Sequence, residues 1–387
     1  MEHDNVVHHP LGAAAYYYQS KETFLRSRLR NAGVPTDPAA EHKPIVVHIG
    51  AQPNSSPHAG TLICFALAFV LSKAWLELHP AMDISITLDF VDTAPDNGAI
   101  DFGIKFDKSH RFSRAMEGYL GDYFQIMNTF MALSGGIQWT HSFQSDLNSQ
   151  STISTVVKAV VEERDVVGPM VSPKKEKLPL RASCPQDGCG LADKAGTHNQ
   201  YTDNRISFRC PTHDRHFVDL EDANDCKRLE YNTPLRNLIR NLVWGMDQNA
   251  IHARVTGYDY AGTYQEDLFA RPWRHIIYKH PELRPVHTAH GTPPPPPGYH
   301  FSPLLTDWAG SKLSKSLYVI AGAYQYMKDQ GVDYLLSVAR MRELGRDPAV
   351  IFHEVARWLE DPKHLFARSY SVEYIHSLFT QAESGAD

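Results

Sequence analysis

The segment Pro44-Ile-Val-Val-His-Ile-Gly50 constrains this chain more than any other. It is a short β-branched run that stops at a glycine, and after one turn a long apolar stretch, Thr61 to Leu78, begins. Such a run reads as a buried strand of a parallel sheet, and parallel strands need a crossover, usually a helix. Ile84-Ser-Ile-Thr-Leu-Asp-Phe-Val91 reads as a second strand, with 92–103 as loop. A helix over 114–134, a strand over 136–142 and a helix over 151–164 keep the alternation going. After an interruption it resumes with a helix near 233–246, a strand at 251–256 and a helix from Tyr264. The rhythm predicts an α/β fold built on a doubly wound parallel sheet.

Around this core the chain divides into an N-terminal extension (1–43), a catalytic domain (44–320) and a short helical C-terminal region (321–387). The extension carries an amphipathic helix between Tyr16 and Ala32, stopped by Gly33 and Pro35. The C-terminal region carries helical stretches over 330–343 and 349–360. Pro293 to Pro297 reads as a stiff surface linker. Between Val171 and Phe217 apolar residues thin out, and the chain reads as an insertion with its own staple. At 42% hydrophobic and 21% charged residues, 387 residues can bury a proper core. The run Leu62 to Leu71 has ten residues where a membrane span needs about twenty. The acidic start Met-Glu-His-Asp is unlike a secretory signal, so the expectation is a cytoplasmic protein with no membrane partner. A net charge of −6 argues against a generic polyanion binder while allowing local basic patches.

The staple is legible in the cysteines. Five is an odd number, and Cys64 lies in the apolar run as a small hydrophobe. Cys184-x4-Cys189 and Cys210-x2-His213 form two knuckles that together supply four sulfur or nitrogen ligands, enough for a closed tetrahedral zinc site of structural type. His216 is a spare ligand and Cys226 fits less well; a reduced thiol cluster is the alternative.

Two further segments carry chemistry. The first strand feeds Ala51-Gln-Pro-Asn-Ser-Ser-Pro-His-Ala-Gly-Thr61, directly before a helix. Gly60 lets a ligand approach, the helix N-terminus offers N–H groups to an anion, and His58 can donate to a phosphate oxygen. An ordinary strand–helix turn is the alternative. Far downstream, Gly310-Ser-Lys-Leu-Ser-Lys-Ser316 puts two lysines and three hydroxyls in one loop, suited to neutralising a phosphoryl group, or else a solvated basic loop.

Together these segments resemble the paired signatures of class I aminoacyl-tRNA synthetases, His-x-Gly-His and Lys-Met-Ser-Lys-Ser. The order of Gln144-Ser-Asp-Leu-Asn-Ser149, the cysteine cluster, Thr233-Pro-Leu-Arg236, Gly257-Tyr-Asp-Tyr260 and Tyr299 to Lys315 is similar to that of class I lysyl-tRNA synthetases, over roughly residues 44–320. The resemblance implies a class I synthetase-type Rossmann (HUP) core. It implies catalytic roles for His58, Asp259, Lys312 and Lys315. The nucleotide-binding set becomes Pro53, Asn54, His58, Gly60, Thr61, Gly257, Asp259, Lys312, Ser314, Lys315 and Ser316. Asp259 falls on a Gly-Lys-Asp-His element, while Asp89 and Asp92 fall near an acidic one; as turn or capping residues they would have no such role. Asp89 and Asp92 with Tyr260, Tyr264 and Glu266 make the substrate set, and an acidic pocket of Asp89, Asp92, Asp259 and Glu266 would suit a cationic amino acid, lysine or arginine.

The departures redirect the functional expectation. Thr61 replaces the second histidine, and Tyr231-Asn-Thr-Pro-Leu-Arg236 replaces a tryptophan-rich segment. Only 71 residues follow Ser316, too few for a large anticodon-reading domain. The favoured expectation is therefore aminoacyl transfer from aminoacyl-tRNA, held by its acceptor end, as in cyclodipeptide synthases. The chain's size is compatible with the fungal arginine-containing ones, although their Asp-Asp-x-x-Glu element has no counterpart here. The alternatives are ATP-dependent amino-acid activation and a non-catalytic tRNA-binding protein. Lys174-Lys-Glu-Lys177 and the stretch from Lys105 to Arg114 would meet the tRNA backbone or form solvated faces.

Overall fold

A computed structural model describes residues 20–34, 43–101, 103–284, 298–314, 322, 324–367 and 369–384. The polyproline run, Lys315 and Ser316 lie outside the described residues. The sheet consists of β1 (Ile45–Ala51), β2 (Ile84–Phe90), β3 (Trp139–Phe143), β4 (Ile251–Gly257) and β5 (Gly298–Ser302). All pairings are parallel and the order is β5-β4-β1-β2-β3. The chain lays down three strands in one direction, returns past β1 and lays down two in the other. This is the doubly wound order, with its switch point between β1 and β4.

The two faces of the sheet differ in chemistry. Ile45, Val47 and Ile49, with Ile86, Leu88, Ala253 and Val255, form a fully buried apolar face. Against it lies α2 (Ala59–Leu78), which also packs on α3 (Leu120–Leu133) and α4 (Ala349–Glu360). By length and composition α2 could cross a membrane, but here most of it is buried between the sheet and those helices. The intervening residues His48, Asp89 and Arg254 point to the other face, where α5 (Thr233–Gly245) brings Arg240 and Trp244. Helix α1 (Lys21–Asn31) is capped by Ser20, whose hydroxyl accepts the Thr23 N–H at 3.2 Å, and joins the apolar core through Phe24, Leu25 and Leu29.

The insertion is anchored rather than dangling. Its strands Arg205–Cys210 and Asp214–Asp219 form an antiparallel pair joined at a turn where Asp214 takes φ 57°. Residues expected as loop after β2 form a hairpin instead, Pro95–Asp101 with Ile104–Ser109, and Ala192–Asp193 of the insertion adds a third strand to it. A Cβ on Gly190 (φ 64°) would stand 2.6 Å from the Phe112 ring, so only glycine lets the first knuckle seat there. The basic stretch from Lys105 to Arg114 is largely spent on these contacts. Lys105 pairs with Asp107 at 3.1 Å, Lys108 donates to the Gly188 carbonyl at 2.9 Å, and Arg111 donates to the Lys227 carbonyl at 2.6 Å.

The C-terminal region belongs to the same core as the sheet. Beyond the helix at Ala349–Glu360, a further helix, Val372–Ser384, packs on it. Ser369–Ser371 pairs in parallel with Leu304–Thr306, the strand that leads into the lysine loop.

Candidate functional site

Ligands of doubly wound sheets bind beyond the carboxyl ends of the strands, at the switch point. There the structure has a cleft of about 160 Å³, and His58, Gly60, Thr61, Gly257, Asp259, Tyr260 and Lys312 all line it. Residues spread from 58 to 312 in sequence thus meet at the ends of β1, β4 and β5.

The turn after β1 is fixed from behind. The Tyr123 hydroxyl donates to the Ser55 carbonyl at 3.3 Å, and the Val338 N–H donates to the Pro57 carbonyl at 2.8 Å. The Ala339 N–H reaches the Ser56 hydroxyl at 3.1 Å. His58 is the N-cap of α2, its carbonyl accepting the Thr61 N–H at 2.8 Å. A Cβ on Gly60 would lie 3.0 Å from the His58 Cε1, so glycine lets the imidazole fold over the helix start. Pro53 and Asn54 sit in the turn and do not line the cleft.

On the opposite wall Gly257 plays a similar part, since a Cβ there would stand 2.5 Å from the Asp259 Oδ1. Asp259 turns back over it and accepts from the Lys312 ammonium at 2.5 Å. The first loop lysine is therefore held over the cleft by a carboxylate partner. Its position is set by an isolated bridge between Thr306 and Lys312 and by the Leu313 N–H donating to the Leu305 carbonyl at 2.8 Å. The Ser314 N–H donates to the Tyr324 hydroxyl at 3.1 Å, away from the cleft lining. Tyr264 stands behind Tyr260, ring centroids 4.7 Å apart, with its hydroxyl accepting from Asn237 at 2.8 Å.

The lining also includes Arg254, Cys64 and Ser302, which fall outside the motifs legible in the sequence. Arg254 does carry a signal: it alternates with His252 along β4, so one side of that strand is charged. Burial pushes the Cys64 thiol up to about 12, which makes it a poor nucleophile.

The acids expected to share one substrate pocket do not meet. Asp89 is 4% exposed on the polar face, where it accepts from the Ser142 hydroxyl at 2.8 Å and contacts His48 Nδ1 at 3.1 Å. Arg240 Nη1 lies 3.7 Å from the same carboxylate, while its Nη2 donates to Gln144 Oε1 at 2.6 Å. Burial pushes the Asp89 carboxyl up, but His48 and Arg240 more than offset it and hold it well below the usual carboxylate range. Asp92 caps the turn Gln144–Leu147 instead, accepting the Ser145 N–H at 3.1 Å and its hydroxyl at 2.5 Å. Glu266 pairs with Arg274 at 2.7 Å on the surface. Of the four acids, only Asp259 lines the switch-point cleft.

Asp89 instead faces a larger cleft of about 800 Å³ on the polar side of the sheet. A chain of contacts runs beside it: Asp89 to His48 at 3.1 Å, His48 to His252 at 2.8 Å, and His252 to Asp247 at 2.9 Å. Trp244 covers both imidazoles, with ring centroids 3.8 Å from His48 and 5.5 Å from His252. Burial lowers both histidines, His252 to about 4. This cleft lies over the side of the sheet rather than beyond the strand ends, so despite its size it is the weaker reaction site.

The metal ligands do converge. Cys189 Sγ and Cys210 Sγ are 3.6 Å apart, and His213 Nδ1 lies 3.5 Å from Cys184 Sγ and 3.7 Å from Cys210 Sγ. All four ligand atoms fall within 4.8 Å of one another. Zn–S bonds of about 2.3 Å and Zn–N bonds of about 2.0–2.1 Å in a tetrahedron place sulfurs about 3.8 Å apart and sulfur and nitrogen about 3.6 Å apart. Cys184, Cys189, Cys210 and His213 can therefore hold a metal ion such as zinc. His216 is not part of the cluster; it stacks on Phe208 at 5.8 Å and sits 3.2 Å from Arg228, and burial lowers it to about 4. Cys226 is buried in a hydrophobic cluster separate from the core around the sheet, one that includes Val218, Leu220 and Leu229, with its thiol 3.6 Å from the Leu220 carbonyl.

No protein-family model matches this chain, and no curated protein does. Among solved structures it is similar to a "putative arginyl t-RNA synthetase" from Campylobacter jejuni. That likeness has 8% identity over 94% of this chain and 90% of the other, with a TM-score of 0.32. A likeness that low bears on neither fold nor chemistry.

Proposed function

We propose that the switch-point cleft binds the aminoacyl-adenosine end of a charged tRNA and transfers its aminoacyl group to an amine, on a class I synthetase-type core. The observation that carries the reading is the convergence of His58, Gly60, Thr61, Gly257, Asp259 and Lys312 around one cleft at the carboxyl ends of the strands. In the transfer, the amine nitrogen attacks the ester carbonyl, a C–N bond forms, the ester C–O bond breaks, and the tRNA 3′ oxygen leaves with the proton. Two such steps from two charged tRNAs close a cyclodipeptide. The ester supplies the driving force, so the protein has only to bind, orient and stabilise the oxyanion. His58 and the α2 N-terminus offer donors for that, and Lys312 meets a phosphate when it leaves Asp259. The four-ligand cluster would hold zinc as a structural brace, because a closed set of three sulfurs and one nitrogen keeps no open coordination position.

ATP-dependent amino-acid activation is the second reading, and the helix N-terminus beside His58 and Gly60 favours it as a phosphate site. Lys312→Ala separates the two. Under transfer it weakens charged-tRNA binding and lowers the salt slope of binding by about 0.7–0.9, with saturated turnover little changed. Under activation the loss falls on turnover, by orders of magnitude, with substrate affinity kept. Binding and single-turnover assays on the same preparation read both, and the second pattern would overturn the transfer reading.

A further inference from the structure

Three arginines reach the polar face of the sheet, Arg236 and Arg240 from α5 and Arg254 from β4. Arg240 has a carboxylate, Asp89 at 3.7 Å, and Arg236 donates to the Thr233 hydroxyl at 3.2 Å. Arg254 differs. It is 7% exposed, and its Nη1 is buried with no hydrogen-bond partner among the described residues. Burial lowers the pKa of both Arg236 and Arg240, and the charge of Arg254 adds to the effect on each. The Asp89 carboxylate is near enough to interact with the Arg254 charge, but a buried N–H also needs an acceptor, and none of the described residues supplies one to that nitrogen.

The fold does supply room. A Cβ on Gly50 would stand 3.0 Å from Arg254 Nη2, so glycine at the end of β1 lets this side chain lie across it. From there Arg254 lines the switch-point cleft together with His58 and Lys312. The ammonium on the same wall, Lys312, is already engaged by the Asp259 carboxylate.

We propose that Arg254 is the oxyanion-binding residue of this cleft, gripping a carboxylate or phosphoryl group of the ligand through its planar pair of N–H donors. The inference rests on taking the cleft as the reaction site. At the end of a charged tRNA the oxyanion is either the phosphate of the terminal nucleotide or a carboxylate on the amino-acid side chain. A cationic side chain, expected from the acids in the sequence, would meet a guanidinium at this position.

Calorimetric titration of the full chain tests this with matched pairs of probes: AMP against adenosine, and L-aspartate and L-glutamate against L-asparagine and L-glutamine. The expected result is that one charged probe binds about tenfold or more tighter than its neutral partner, as a charge-assisted hydrogen bond to a buried arginine implies. Arg254→Gln should erase that difference, and Arg254→Lys should keep part of it. A preference for AMP identifies the phosphoryl source; a preference for the acidic amino acids identifies the carboxylate. Equal binding within both pairs, or a preference that survives Arg254→Gln, overturns the proposal. If Arg254→Gln does not fold, Arg254→Lys decides: an undiminished preference overturns it. None of these readouts needs aminoacyl transfer, so a chain that discriminates AMP from adenosine through Arg254 yet transfers nothing would contradict the transfer reading alone.

Discussion

Cys184→Ser is expected to release the bound metal and unfold the insertion between Val171 and Phe217. For structural zinc sites metal binding is folding free energy, and apparent values run to about 10–16 kcal/mol in small zinc-binding peptides. The loss should not stop at the knuckles. Ala192–Asp193 pairs with the strand Ile104–Ser109, Gly190 seats the Phe112 ring, and Arg209 pairs with Asp101 at 3.4 Å. The hairpin after β2 therefore loses its third strand with the metal. Elemental analysis should find one zinc per wild-type chain and none in the variant, and limited proteolysis should cut the variant first between Val171 and Phe217. Wild-type protein that carries no stoichiometric zinc, or a metal-free variant with unchanged protease resistance, would contradict the site.

Asp89→Leu is the second large effect. The carboxylate accepts from Ser142, contacts His48 and faces Arg240, all within the buried layer between the sheet and α5. Its removal leaves the Arg240 guanidinium, 2% exposed, with Gln144 as its hydrogen-bond partner and no counter-charge beside it among the described residues. Breaking one side of a buried pair costs about 3–5 kcal/mol, because the surviving charge stays buried. Adding Arg240→Met should recover a large part of that loss, and a double-mutant cycle by urea denaturation measures the coupling. The pH dependence has a definite sign. A carboxyl held below its unfolded value stabilises the fold above that unfolded value, near pH 4, and the contribution fades as pH falls through the folded value. The acid limb of the wild-type stability curve should therefore be steeper than that of the double variant. Additive single effects would mean that Asp89 and Arg240 act independently.

The parallel sheet is readable because its strands announce themselves locally. Pro44 to Gly50 is short, apolar and bounded, 251–256 alternates apolar with polar residues, and each strand appears within a residue of where the pattern puts it. The two knuckles are readable because ligand chemistry needs particular atoms at short spacing. The cleft is harder, yet its glycines carry the information: Gly60 and Gly257 sit where a Cβ would strike His58 or Asp259. What stays hidden depends on side-chain direction and on distant partners. Pro44 to Gly50 reads as buried on both faces, but His48 meets His252, 204 residues away, and that pairing is invisible in either segment alone. The four acids match a cationic ligand by charge type, whereas the fold sends them to four different places. The hairpin at 95–109 escapes because Asp, Asn and Gly at its start read as loop, and its pairing is completed by the insertion far downstream. The helix Val372–Ser384 lies beyond the helical stretches expected of the C-terminal region, and its buried Val372, Tyr374, Ile375 and Phe379 hold it to the core.

The most direct test of the transfer reading gives the purified full chain a charged tRNA, an amine acceptor in the form of a second charged tRNA, and no nucleotide. The account predicts loss of the aminoacyl ester with matching appearance of amide-linked product, abolished by prior RNase treatment. Product that forms only when ATP is added, with pyrophosphate released in step, would contradict it and establish amino-acid activation instead.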